Sequence, residues 1–471
     1  MQNVPKALAD NNHARRGSSA MQQWIMRGLV LSLAVLLNST ALAKVPAAEA
    51  DKLGKELTPI GAEKKANADG SIPEWTGGLP QKGGLTSDWN NFLDPYPEDR
   101  PVFTITRANL PQYREKLSVG HQRMFERFAD YKMNVYGTRR TIAYPEQIYA
   151  ATKVNATTAE LVGGNPDAIK GAKQGFPFPI PTSGAEPIWN HRLKYRGEHV
   201  RRFNNQAIVL PNGQVSYSKI VEDVLFHYAS LKNPQPLDTP ESTFLLYLFN
   251  SLSPPRVAGQ FILAWEHPSK RSAWIYNPQL RRLRRAPNVA YDNPAEGTDG
   301  NQFYDQVDMF NGALDRYTWK LVGKKEMYIG YNSAKMNRPP TKYADLVKPG
   351  HLNQDLPRYE LHRVWIVEAN NVPSLRHSFK KRVFYIDEDS WSVSMVDYYD
   401  QRDQYWKFHE GHVLPVQPVL FGTSVPEVIY DLQSGGYFVT SLFSEDRPGD
   451  FSYPLRDDNF TPDAVKKLTS R

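Results

Sequence analysis

Cysteine is absent from all 471 residues, which excludes disulfides, thiolate metal sites, cysteine nucleophiles and a lipid anchor on an N-terminal Cys. A strong charge of one sign is missing too: 57 Lys and Arg stand against 50 Asp and Glu, a formal net charge of +7. Setting aside residues 1–43, for reasons given below, leaves 53 against 49, or +4. That is short of the dense basic balance of a nucleic-acid binder. After that leader no stretch reaches the ~20 apolar residues of a bilayer-crossing helix; the most apolar is Phe244–Phe249 (FLLYLF). The signatures G-x-S-x-G, H-E-x-x-H and G-x-x-x-x-G-K-[ST] do not occur. No cofactor is therefore expected, and the chain reads as a non-enzyme. What it does have is 40% hydrophobic residues, 12% aromatics and 36 prolines, enough for a large core with many loops and edge positions.

Compartment is written at the N-terminus. Arg27 precedes the apolar run Gly28–Leu37 (GLVLSLAVLL), followed by Asn38-Ser39-Thr40 and Ala41-Leu42-Ala43. A positive flank, a short apolar run and an A-x-A ending make a secretory signal peptide with cleavage after Ala43. Translation starts at Met1 or Met21, and the mature chain is expected in the periplasm.

The mature chain divides into an irregular Gly- and Pro-rich arm over 44–108 and a single large domain with helical insertions over 109–471. Asn109 and Pro111 open a helical pattern carried by Tyr113, Leu117, Met124, Phe128 and Tyr131, with Gly120 as a break. A second helix is expected at Lys219–Leu231, burying Val221, Val224, Leu225 and Tyr228. A short terminal helix follows Thr461 and Pro462. Elsewhere after residue 190 the signal is strand: Phe261, Leu263 and Trp265 alternate with smaller neighbours, as do Tyr317, Trp319 and Leu321, and Trp391, Val393 and Met395. Short turns at Asp387–Ser390 and Asp400–Asp403 predict antiparallel neighbours. The fold class is mainly β (α+β), with one large antiparallel sheet that must close or be covered on one face.

Candidate chemistry is sparse. His409 and His412, three apart on a strand, point to opposite faces and converge on a metal only at a bend. The acidic turns Asn67–Gly70 and Asp387–Asp389 lack the spacing of a calcium loop. Asp305 with Asp308, or Asp387 with Asp389, are the carboxylate pairs a periplasmic hydrolase could use. The sharpest basic feature is Arg281, Arg282, Arg284 and Arg285, which reads either as a grip for anionic headgroups or an acidic partner or as a solvated strand end. The 25 Tyr, 21 Phe and 10 Trp either fill a large core or line a partly wet cavity for an apolar ligand.

Several segments together resemble a proteobacterial periplasmic family of unknown function, often labelled outer-membrane lipoprotein-sorting protein-like. They are Leu57–Glu63 (LTPIGAE), Ala66–Gly78 (ANADGSIPEWTGG), Gly175–Pro181 (GFPFPIP), Trp189-Asn190-His191, Tyr276–Arg285 and Tyr385–Trp391 (YIDEDSW). The resemblance implies a half-open β-barrel similar to the carriers LolA and LolB: a curved antiparallel sheet with helices on its concave side. It also implies a carrier or accessory that passes a hydrophobic or lipid-like molecule to or from an envelope transport system. An RND-type inner-membrane transporter and an outer-membrane companion are the implied partners. On that reading Trp265, Trp274, Tyr276, Trp319, Trp365 and Trp391 line or border the concave side, and the four arginines stand at its rim. An assembly factor that docks through those arginines without cargo is the main alternative.

Overall fold

A computed structural model describes residues 44–286 and 291–470; the expected signal peptide lies outside them. From Phe103 onward the chain lays down sixteen strands of one sheet. They are β1 Phe103–Ile105, β2 Met133–Val135, β3 His199–Phe203, β4 Asn205–Val209, β5 Val215–Phe226, β6 Leu245–Ser253, β7 Phe261–Glu266 and β8 Arg271–Asn277. There follow β9 Arg282–Arg285, β10 Tyr317–Gly330, β11 Tyr359–Asn371, β12 Lys381–Asp387, β13 Val393–Tyr399, β14 Tyr405–Val416, β15 Phe421–Asp431 and β16 Tyr437–Leu442. From β10 through β16 every strand pairs antiparallel with the next, and β16 then pairs β4. From β5 the sheet runs on through β6, β7 and β8 to β9. Among the described residues the one parallel pairing between two of these strands is a single contact of β11 with β2. Among the described residues β9 and β10 do not pair, so the sheet stays open.

Among the described residues four helices of eight or more residues accompany it: α1 Val119–Arg127, α2 Glu146–Thr158, α3 Ala185–Leu193 and α4 Pro462–Thr469. All nine residues of α3 are buried, as a helix must be when it plugs a core instead of lying on it. Its entry is tight: a Cβ on Gly184 would lie 2.6 Å from the backbone of Trp319 on β10. Residues 44–102 have little regular structure, yet Ile60 and Ile72 are buried against the main core.

Two local expectations fail for physical reasons. Residues 215–226 are the strand β5, not a helix. Glu222 and Asp223 hide its alternation, because both carboxylates are buried by cross-strand guanidiniums: Arg202 Nε donates to Glu222 at 2.9 Å, and Arg201 holds Asp223 through two bonds of 2.6 Å. Gly120 does not break the helical pattern. The break falls at Leu117–Ser118, where the Ser118 hydroxyl caps α1 by accepting from the His121 amide. Gly120 sits inside the first turn because a Cβ there would meet the Phe408 ring at 2.0 Å. The terminal helix starts where expected, with Thr461 as its cap and Pro462 next.

Candidate functional site: a two-chamber cavity on one face of the sheet

Period two sends alternate residues of β5, β6, β7, β8 and β15 to opposite faces. One phase comprises Glu222-Val224-Phe226, Leu245-Tyr247-Phe249, Ile262-Ala264-Glu266 and Thr423-Val425-Glu427, and it borders open space. The space forms two adjoining cavities, each of about 120 Å³ for a water-sized sphere. Arg196, Arg202, Phe226, Thr423, Val425 and Ser441 border both.

The first chamber is apolar, walled by Phe203, Leu414, Phe421, Phe443 and Phe451. The irregular arm closes one side: Trp89 stacks on Phe443 with centroids 5.9 Å apart, and Phe92 on Phe451 at 6.5 Å. The second chamber is the more polar of the two. Three guanidiniums in its wall are each matched by a carboxylate: Arg196 with Asp308 at 2.5 Å, Arg202 with Glu222 at 2.9 Å, and Arg271 with Glu266 at 2.5 Å. Behind Asp308 stands Lys194 at 3.2 Å. Burial works to raise the Asp308 pKa, but Arg196 and Lys194 hold it below the usual carboxylate range. Burial also pulls the Lys194 ammonium down to about 8. Two further carboxylates, Glu296 and Glu427, complete the lining.

The six aromatic residues expected at the cavity border neither chamber. Trp265, Trp274 and Tyr276 belong to the opposite phase and pack with Leu455, Phe460 and Val465 beneath α4. The indole N–H of Trp265 donates to the Phe460 carbonyl at 2.8 Å. Trp319 packs on Phe310 and Phe384 at the foot of β10. Trp365 and Trp391 stack on each other at 6.2 Å, and Trp391 donates to Ile60 O, clamping the N-terminal arm. On β7 and β8 the reason is steric: the large rings fill the space they reach, whereas the second chamber persists where the two strands present Ala264 and Ala273 and a loop brings up Ala295. Arg281, Arg282, Arg284 and Arg285 are exposed at the β9 edge. They form no ion pair with the described residues and border neither chamber.

The carboxylate pairs read from sequence are locked into separate buried networks. Asp305 takes Arg382 and, at 2.9 Å, His377; burial works against its ionisation, but these partners depress its pKa. Asp389 is gripped by Arg140 through bonds of 2.6 and 2.8 Å, and Glu388 by Lys324 at 3.0 Å. Asp387 accepts from Ser390 at 2.6 Å and leaves its Oδ1 without a partner. Burial, reinforced by the charge of Asp389, raises its pKa to about 7. His362, Asp387 and Asp389 bring ligand-type atoms within 4.8 Å of one another. Because Arg140 already covers both oxygens of Asp389, this group is an ion-pair knot, not a free donor set. His409 and His412 do not converge: His409 approaches Glu427 at 3.3 Å, His412 approaches Glu410 at 3.7 Å.

A family model described as "Protein of unknown function (DUF1329)" matches residues 104–466. The chain belongs to the DUF1329 family. It is 44% identical over 446 residues to the uncharacterized protein PA3922 of Pseudomonas aeruginosa, covering 93% of this chain and 97% of that one. Three solved structures are similar at much lower identity. One, from Vibrio parahaemolyticus, is provisionally described as an outer membrane lipoprotein-sorting protein domain (14% identity, 60% of this chain and 98% of that one, TM-score 0.41). Another is a DUF1329 family protein from Desulfovibrio piger (13%, 57% and 92%, 0.39). The third is the LolA superfamily protein NE2245 from Nitrosomonas europaea (10%, 60% and 100%, 0.36). Among the described residues of this DUF1329 protein no helix is long and apolar enough to cross a membrane.

Proposed function

We propose that this chain is a non-catalytic periplasmic carrier or accessory that holds a hydrophobic or lipid-like molecule in the two-chamber cavity and passes it to or from an envelope transport system. The supporting observation is the apolar chamber itself, a hollow among Phe203, Phe421, Phe443 and Phe451 on the face of an open sheet. The open sheet is read as a half-barrel of the LolA and LolB kind, with the buried helix α3 and the cavity on its concave side. Apolar burial provides affinity at ~25 cal/mol per Å² before the costs of association, enough to retain one acyl chain without a covalent step. Native mass spectrometry of protein exported to the periplasm tests this. It is expected to show a co-purifying amphiphile on a chain that begins at Lys44; uniformly empty protein that takes up no apolar probe refutes it.

A second reading rests on the β9 edge. Four exposed arginines without carboxylate partners there favour an acidic docking surface, for example on an RND-type transporter or its outer-membrane companion. Changing all four to Glu discriminates. Loss of a crosslinked partner with ligand retained supports docking, and loss of ligand with partner retained assigns the arginines to cargo.

A further inference from the structure

The polar chamber carries information about what lies at the end of the ligand's apolar part, and it differs from the anionic headgroup that an arginine-rich rim would attract. Resting on the reading that the cavity holds an amphiphile, we propose that the preferred ligand ends in a cationic group, an amine or quaternary ammonium, placed against Glu427 in the second chamber.

Three observations lead there. First, the chamber's guanidiniums are already matched one to one by carboxylates, so none is available to an anion without breaking a buried pair, at a cost of several kcal/mol. Second, the lining presents five carboxylates against those three guanidiniums. With Lys194 counted behind Asp308, one negative charge remains over. Third, that excess has a place. Glu427 is only 4% exposed, and its Oε2 accepts from the Met309 amide at 2.9 Å with His409 Nε2 at 3.3 Å. Its Oε1 accepts no hydrogen bond from the described residues, and the side chain borders the chamber. The Tyr304 hydroxyl, also in that wall, is buried and unpartnered. Glu427 supplies a charged acceptor and Tyr304 a neutral one in the same wall, which suits an ammonium, and the carboxylate repels an anionic headgroup. The overall field does not produce this preference, because the mature chain is net basic at +4.

The test compares three single-chain amphiphiles of equal length below their micelle concentrations, at low ionic strength and near-neutral pH: dodecyltrimethylammonium, monododecanoylglycerol and dodecanoate. Each displaces N-phenyl-1-naphthylamine from the mature chain. The ammonium compound is expected to bind at least tenfold tighter than dodecanoate, with the neutral ester between. Glu427→Gln is expected to bring the cation-to-anion ratio close to one while leaving the ester's affinity within about twofold, which also reports that the cavity is intact. Glu296→Gln, on an exposed position, keeps the proposal testable if the first variant misfolds and is expected to lower the ratio by a smaller factor. Dodecanoate binding as tightly as the ammonium compound, or a ratio insensitive to both substitutions, overturns the charge assignment while leaving the cavity reading standing. Failure of all three amphiphiles to bind overturns both.

Discussion

Neighbouring residues of β7, Ala264 and Trp265, separate the two faces of the sheet and permit a sharp test of where a ligand goes. Ala264 is 4% exposed and borders the polar chamber beside Ala273, Ala295 and Tyr304. Trp265 points to the other face, half-buried under α4, with its indole bonded to Phe460 O. Ala264→Phe places a ring in space that a ligand needs. If that ring excludes about 100 Å² of apolar contact, the loss at ~25 cal/mol per Å² is about 2.5 kcal/mol, or roughly 70-fold in affinity. Its cost to folding is small, because the ring enters a hollow and not a filled core; overpacking of a closed core costs ~1–3 kcal/mol. Trp265→Ala does the reverse. Truncating a large aromatic side chain costs ~3–5 kcal/mol when it is fully buried, so about 3 kcal/mol is expected here with the hydrogen bond included. Titration with N-phenyl-1-naphthylamine and urea unfolding read the two effects separately. The reasoning is refuted if Ala264→Phe binds the probe as wild type does while Trp265→Ala stays stable and loses it.

Other consequences of the packing can be checked in the same way. Gly120→Ala forces a methyl toward the Phe408 ring and is expected to destabilise by about 1–3 kcal/mol; an unchanged urea midpoint contradicts the close approach. Asp305→Ala leaves the fully buried Arg382 without its counter-charge and is expected to cost about 3–5 kcal/mol, with a smaller loss for Asp305→Asn. Because the Asp305 pKa is depressed in the fold, its contribution is complete above the unfolded value of 3.8 and disappears as pH falls through the lower folded value. Wild type should therefore lose its advantage over Asp305→Asn only in strong acid. Asp387 has the opposite sign. The fold keeps its proton to about pH 7, whereas the unfolded chain loses it near 3.8, so this group makes stability decline as pH rises between those values. Asp387→Asn should gain on wild type from pH 5 to 8 in urea melts; a constant offset across that range refutes the assignment.

Strand content was legible where aromatic and β-branched residues alternate, as in Phe261-Leu263-Trp265 and Val393-Met395, because such runs fit a half-buried pleat. β5 was not legible, because Glu222 and Asp223 occupy positions that look solvated until β3 is paired alongside with Arg202 and Arg201. The helix α3 was not legible for a related reason. α3 has no polar side to mark its period: Asn190, His191 and Arg192 are all buried, with Asn190 bonded to the Phe178 backbone and Arg192 lying over Trp189. Trp319, Trp365 and Trp391 lie elsewhere in the fold, whereas Trp265 and Trp274 are one residue out of phase with Ala264 and Ala273, which border the hollow. Only the juxtaposition of Ala264, Ala273 and Ala295 identifies it, and those three residues are brought together by the register of β7 with β8 and by a distant loop.

The position of the boundary between the chambers follows from how β5 is used. Its first residues, Val215–Ser218, pair with β4, and its later ones pair with β3 on one side and β6 on the other. Asn204, at the junction of β3 and β4, donates to Glu222 Oε1 at 2.6 Å while Arg202 holds Oε2. The same carboxylate accepts from the Tyr247 hydroxyl at 2.5 Å. Glu222 on β5 is thus tied by three neighbours, Arg202 on β3, Asn204 at the junction and Tyr247 on β6, at the point where the apolar wall of Phe203, Phe421 and Phe451 gives way to charge. A buried carboxylate held in this way is costly to disturb, so the boundary between the chambers at Glu222 is fixed and the polarity step beside it is fixed as well. On the proposed reading, the direction in which an amphiphile enters is set by that step: its chain lies toward Trp89 and Phe92 of the arm, and its polar end toward Glu427. On that reading release proceeds past Trp89 and Phe92, which meet Phe443 and Phe451 through stacked rings, and not through the ion-paired wall.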